Sequence, residues 1–187
     1  VNKHIPAMKP YVSGTGSPMY YASRIAKKKY PEAKVVFIGP CIAKRKEAQR
    51  DECVDYVMTF EELHSVFRGL GIELAQANPY KVAYESVCEA HGFAQAGGVA
   101  GAVKSYLGPK ADGIKMLQFS DFNKKSIGQM RAWAKTGKVD AQFIEMMACE
   151  GGCVTGPSAY NDSVSGKRQL NQDLLKRTLK YENYKEE

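Results

Sequence analysis

Asp140-Ala141-Gln142-Phe143-Ile144-Glu145-Met146-Met147-Ala148-Cys149-Glu150-Gly151-Gly152-Cys153 is the stretch that decides how this chain folds. Its first half is an apolar run of strand length. Its second half sets two thiols four residues apart around a Gly-Gly pair. Deprotonated thiols are soft metal ligands that suit iron–sulfur clusters, zinc or copper(I). The two glycines allow a tight bend and leave bare N–H groups facing a bound anion, which suits a negatively charged cluster better than a structural zinc. A second strand with a thiol after it lies far upstream, where Lys34-Val35-Val36-Phe37-Ile38 runs through Gly39-Pro40 into Cys41.

Working outward, the pattern alternates helix and strand. Ser17-Pro18 opens a helix through Lys29, with Ser as N-cap and Pro in the first turn, and Tyr30-Pro31 ends it. The run 34–38 reads as a fully buried strand, and Cys41 to Gln49 as a polar loop or short helix at its carboxyl end. Asp55 to Met58 is a second strand, followed by a Thr59-to-Glu62 capping box and a helix to about Arg68, closed by Gly69 and Gly71. Ile72 to Glu89 reads as irregular. A closely packed helix is predicted over Phe93 to Leu107, a strand over Ile114 to Phe119 and a helix over Asp121 to Lys135. The strand at 140–147 follows, then a last helix from about Lys167 to Tyr181 and a charged tail expected to fray. Strands alternating with helices imply an α/β fold with a mostly parallel sheet flanked by helices. In such sheets sites form beyond the carboxyl ends of the strands, so the Cys41 and Cys149/Cys153 loops are expected to converge on one crevice.

Composition narrows the function classes. The 187 residues are 44% hydrophobic and 25% charged, as in an ordinary globular protein. No apolar run approaches the roughly 20 residues of a membrane-spanning helix. The net charge of +7 comes from scattered Lys and Arg unaccompanied by a base-stacking or DNA-reading motif, which argues against nucleic acid. Five cysteines, an odd number at modest density, argue against a disulfide-stapled secreted domain and for a reducing cytoplasm. His4, His64 and His91 have no paired spacing and are poor zinc candidates. Cys53 and Cys88 match no motif and read as small core residues. Met146 reads as strand core.

Three segments together resemble the cluster-binding domain of iron-only hydrogenases. Gly39-Pro40-Cys41-Ile42-Ala43-Lys44-Arg45-Lys46-Glu47 is similar to that family's M-P-C-x-x-K-x-x-E motif. Glu145 to Gly156 is similar to its E-x-M-A-C-x-G-G-C-x-x-G motif, and Phe93 to Val99 to its F-G-A-x-G-G-V helix start. Ser17-Pro18 matches a further pair, and the matches fall in family order. The resemblance implies that Cys41, Cys149 and Cys153 ligate a 4Fe-4S cubane, with Cys153 also bridging to a diiron subcluster that carries carbonyl and cyanide. It implies that Lys44 donates hydrogen bonds to one cyanide, that Ser17 and the Pro40 backbone hold the other, and that Met147 packs near the bridging carbonyl. Anionic ligands in a dry pocket need donors, and an ammonium is the strongest available.

The departures are as specific as the matches. The family's T-S-C-C-P-x-W motif, which supplies the fourth cubane ligand and a proton-carrying cysteine, is absent. The resemblance therefore implies that residues 1–187 are a fragment of the H-cluster domain, one lobe plus part of a second, with the missing N-terminal part as a partner. Gly39 stands where active members usually carry Met, Met19 where Gln is common, and Pro157-Ser158-Ala159 where a Gly-rich continuation runs. These changes resemble the sensory or otherwise divergent branch more than high-turnover enzymes. The expected function is reversible interconversion, or sensing, of protons and dihydrogen, with an electron carrier such as ferredoxin as partner. The competing class is a non-catalytic iron–sulfur protein of hydrogenase-like fold, acting in cluster assembly, which would keep the thiolates without needing Lys44.

Overall fold

A computed structural model describes residues 1–80 and 86–183, in which the chain divides into two units. The smaller unit comprises Ser13–Lys81 and Gly156–Tyr160; the larger comprises Val1–Val12, Val82–Thr155 and Asn161–Glu187.

In the smaller unit, Ser17 caps helix α1 (Pro18–Lys29), its hydroxyl accepting from the Tyr20 N–H at 3.3 Å. Strand β1 (Val36–Ile38) leads into helix α2 (Ala43–Ala48) and strand β2 (Tyr56–Met58), which pairs in parallel with β1 in the register Val36↔Tyr56. Thr59 opens helix α3 (Phe60–Gly69) with both halves of the predicted capping box formed. Met19 and Val54 are buried, and Arg24 pairs with the buried Asp51 at 3.0 Å while lying over the Tyr20 ring. The Asp55 carboxylate accepts from the Val35 N–H and pairs with Lys27 and Lys34. The backbone hydrogen bond first, then Lys27, hold it well below the usual carboxylate range.

The larger unit contains helices α4 (Cys88–His91) and α5 (Gly98–Leu107), strand β3 (Met116–Phe119), helix α6 (Lys124–Thr136), strand β4 (Phe143–Met146) and helix α7 (Ser163–Lys176). Strands β3 and β4 pair in parallel, Met116↔Phe143 to Phe119↔Met146. Ile5, Met130 and Trp133 form the core, with Leu117, Phe119, Ile144 and Met146 packed against it; the Trp133 and Phe119 rings meet edge to face at 5.6 Å. Met146 is strand core, as expected.

Both strand pairs are parallel with a helix in each crossover, in keeping with the alternation of the sequence. Four local readings need correction. Strand β1 is not fully buried: Val36 and Ile38 are each 41% exposed, because a two-stranded sheet of three-residue strands leaves edges and a face to solvent. The helix predicted over Phe93 to Leu107 is broken. A 3-10 turn at Gly92–Ala94 precedes Gly97, whose φ of 87° is left-handed, and α5 starts only at Gly98. The stretch read as irregular contains a 3-10 turn at Leu74–Gln76 and the start of α4, while residues 81–85 lie outside the described residues. Helix α7 starts four residues earlier than predicted, because Asp162 caps it by accepting from the Val164 and Ser165 N–H groups at 3.0 Å. The charged tail at 184–187 lies outside the described residues.

Candidate metal centre

Both cysteine loops leave their strands in the same way. The residue after β1, Gly39, donates its N–H to Met58 at 3.1 Å; the residue after β4, Met147, donates to Phe119 at 2.7 Å. The ladder thus runs one residue beyond each strand. In each case the cysteine follows the last strand residue by three positions, and its carbonyl closes a turn. Cys41 accepts from the Lys44 N–H at 3.3 Å and Cys149 from the Gly152 N–H at 3.0 Å.

In the larger unit the loop is built from backbone. Gly151 and Gly152 have φ of 80° and 104°, conformations open to glycine and strained for other residues. A Cβ on Gly152 would come within 2.7 Å of the Gln95 Cα, so the loop lies directly against the segment before α5. The Ala96 N–H donates to the Gly151 carbonyl at 3.0 Å, and the Gly151 N–H donates to Ser120 at 3.1 Å. The Thr155 hydroxyl donates to the Gly152 carbonyl at 2.9 Å and to the Glu150 carbonyl. Beneath the loop the buried Glu145 carboxylate accepts from the N–H groups of Gly97 at 2.8 Å and Ala100 at 2.7 Å. This carboxylate satisfies donors that the first turn of α5 leaves unpaired and ties that helix to the strand carrying the cysteines. Cys149 and Cys153 are half-buried on this loop, with Met147 at its start.

In the smaller unit the corresponding segment is built from side chains. Glu47 of α2 accepts from Lys44 Nζ at 2.5 Å on one oxygen and from the Ser17 hydroxyl on the other. Burial raises the pKa of this carboxyl, but the hydrogen bonds from Lys44 and Ser17 outweigh it and hold Glu47 below its ordinary value. Lys44 is 20% exposed, and the Pro40 carbonyl accepts from the Ser158 N–H at 3.2 Å. Cys41 is half-buried.

The predicted site residues are therefore distributed. Ser17, Pro40, Cys41 and Lys44 belong to the smaller unit, with Ser17 and Lys44 brought together on Glu47; Met147, Cys149 and Cys153 share one loop of the larger unit. Within either unit the described residues gather no group of three or more His, Cys, Asp or Glu around a metal-sized space. Each unit offers part of a thiolate set. The donor chemistry fits an iron–sulfur cluster in its soft, half-buried sulfur ligands and in carboxylates already occupied by N–H and O–H donors. The Gly151 and Gly152 N–H groups, expected to face a bound anion, instead donate to the Ser120 and Cys149 carbonyls. Glu145 opens the E-x-M-A-C motif but carries no implied role there, although a carboxylate inside the apolar run Phe143-Ile144-Glu145-Met146-Met147 signals a buried charge that must find donors. Cys88 donates to the Leu174 carbonyl at 3.5 Å, and His91 shares a hydrogen bond with Ser86 at 2.6 Å. Among the described residues no helix is long and apolar enough to cross a membrane.

Known proteins place this architecture. The model of a family described as iron only hydrogenase large subunit, C-terminal domain, matches residues 1–157. An FeFe-hydrogenase solved in connection with oxygen inactivation, through degradation of its H cluster 2Fe subcluster, is 22% identical with a TM-score of 0.61, covering 95% of this chain and 64% of that one. HydA(deltaEFG), solved in connection with stepwise H-cluster assembly, is 20% identical with a TM-score of 0.61 over 95% of this chain and 62% of its own. A variant of the FeFe-hydrogenase HydA1 from Chlamydomonas reinhardtii is 21% identical with a TM-score of 0.60, over 94% and 63% respectively. The chain thus spans less than two thirds of the length of these structures and shares their fold. By the family match over most of its length, this chain belongs to the family defined by the C-terminal domain of the large chain of iron-only hydrogenases.

Proposed function

We propose that this chain is part of an iron-only hydrogenase-type domain in which Cys41, Cys149 and Cys153 ligate a 4Fe-4S cubane, Cys153 also bridging to a diiron subcluster. When bound, that H-cluster supplies the redox chemistry that interconverts protons and dihydrogen, or senses dihydrogen. The observation that carries the reading is the Cys149–Cys153 loop, with both glycines left-handed and Glu145 strapping it to the start of α5.

The chain's own residues then bind, orient and exclude water. The Ala96 N–H anchors the loop at Gly151, and Glu145 anchors the strand before it to the start of α5, which would help preorganise the two thiolates. Lys44 would be the donor for a cyanide. Glu47 keeps its ammonium localised, and the same carboxylate positions Ser17 for the other cyanide along with the Pro40 backbone. Met147 would supply an apolar contact to the diiron part of such a group. A fourth cubane thiolate would come from outside residues 1–187. The partner is an electron carrier such as ferredoxin, and a reducing cytoplasm suits such thiolates. Gly39, the buried Met19 and Pro157 favour the sensory version, with low turnover and an attached signalling module.

The test is infrared spectroscopy of the full-length protein after anaerobic cluster reconstitution and maturation of the diiron site. Bands from carbonyl and cyanide are the expected result; a cubane without them points to the cluster-assembly class. Lys44→Asn is expected to weaken diiron retention while sparing the cubane, and equal loss of both would contradict the role given to Lys44.

A further inference from the structure

A cation lies against the cysteine loop that the motifs do not account for. Helix α7 approaches the loop through Gly166, which is buried; a Cβ there would meet Val154 Cγ2 at 3.4 Å and the Val154 carbonyl oxygen at 3.5 Å. Lys167 follows at this packing contact and lies over the loop. A Cβ on Gly151 would run into Lys167 Nζ and Cε, so the space above Gly151 is filled by the ammonium end of this side chain. Gly151 stands midway between Cys149 and Cys153 in sequence, and its lack of a Cβ leaves the room that the lysine occupies. Lys167 is half-buried, and among the described residues no carboxylate forms an ion pair with it. The carboxylate of Asp162, five residues earlier in sequence, is occupied by the N–H groups of Val164 and Ser165, and Glu150 is exposed.

A full positive charge, partly shielded from water and not neutralised, stabilises whichever state of a neighbouring centre is more negative. Reducing an iron–sulfur cluster by one electron makes it more negative. We infer that Lys167 is a positioning residue that raises the reduction potential of the cluster carried by the Cys149–Cys153 loop. The inference rests on the cubane reading given above, and it assigns to α7 a tuning role beyond packing.

The experiment is a dithionite titration, followed by electron paramagnetic resonance, of the full-length protein reconstituted with iron and sulfide alone. Wild type is compared with Lys167→Met and Lys167→Arg at equal iron content. Lys167→Met is expected to lower the reduced-to-oxidised ratio at a fixed potential about tenfold, which is about 59 mV for a one-electron couple. Lys167→Arg, which keeps the charge, is expected to restore most of it. A cubane that forms in all three proteins with an unchanged midpoint overturns the role of Lys167 and leaves the cubane reading standing. Failure of the wild type to form a cubane overturns both.

Discussion

The two cysteine loops of this chain begin alike and end differently. Each extends its strand's ladder by one residue and closes a turn on the cysteine carbonyl. The Cys41 loop then enters α2, and its chemistry is arranged by Lys44, Glu47 and Ser17, side chains partly open to solvent. The Cys149 loop instead turns through two left-handed glycines, and backbone N–H groups and one buried carboxylate arrange it. A backbone cradle fixes ligand positions; a side-chain network fixes charge and can be re-tuned residue by residue. The family motifs reflect this division, with glycines in one and Lys and Glu in the other.

The contrast can be broken most sharply at Gly152. Gly152→Ala combines a strained φ with collision against the Gln95 and Ala96 backbone, and is expected to destabilise the fold by about 4 kcal/mol in a urea titration. Gly39→Ala, in the other loop, meets only the edge of the Phe37 ring at 3.0 Å and is expected to cost no more than about 1 kcal/mol in the same assay. Comparable losses at both positions would erase the distinction.

Glu145→Ala is the next largest effect. It leaves two N–H donors at the start of α5 unsatisfied, for an expected loss of about 3 kcal/mol. Hydrogen exchange at Gly97 and Ala100 should rise with it. Ser17→Ala removes the α1 cap and one partner of Glu47, with about 1 kcal/mol expected by thermal denaturation.

The smallest effect is one of pH. The folded pKa of Glu47 lies below its ordinary value of 4.5, so its contribution to stability is present above that value and is lost as pH falls through the folded pKa. Denaturation curves of Glu47→Gln and wild type should therefore differ at neutral pH and converge in acid. A difference that persists or grows in acid would show that Glu47 does not act as a paired carboxylate.

Much of this was legible in the sequence. The Ser17 cap, the Thr59–Glu62 capping box and the parallel strand pairs follow from local patterns that no tertiary contact overrides. The break at Gln95-Ala96-Gly97 was not legible, because an Ala- and Gly-rich run is compatible with continuous helix. Only the Glu145 carboxylate and the Gly151 carbonyl, both distant in sequence, supply acceptors for the N–H groups of Gly97 and Ala96. The exposure of β1 was likewise hidden, since an apolar run does not reveal how many strands will flank it. Within the candidate site the proposed ligands and Glu145 are named by motif, whereas the contacts that Glu145 and Lys167 make are long-range and no spacing encodes them.

The central claim is that thiolates from both loops serve one cubane. Its most direct test is iron content and electron paramagnetic resonance of the anaerobically reconstituted full-length protein carrying Cys41→Ser. The expected result is loss of the cubane signal equal to that caused by Cys149→Ser. A Cys41→Ser protein with full iron and an unaltered cubane spectrum would contradict the account.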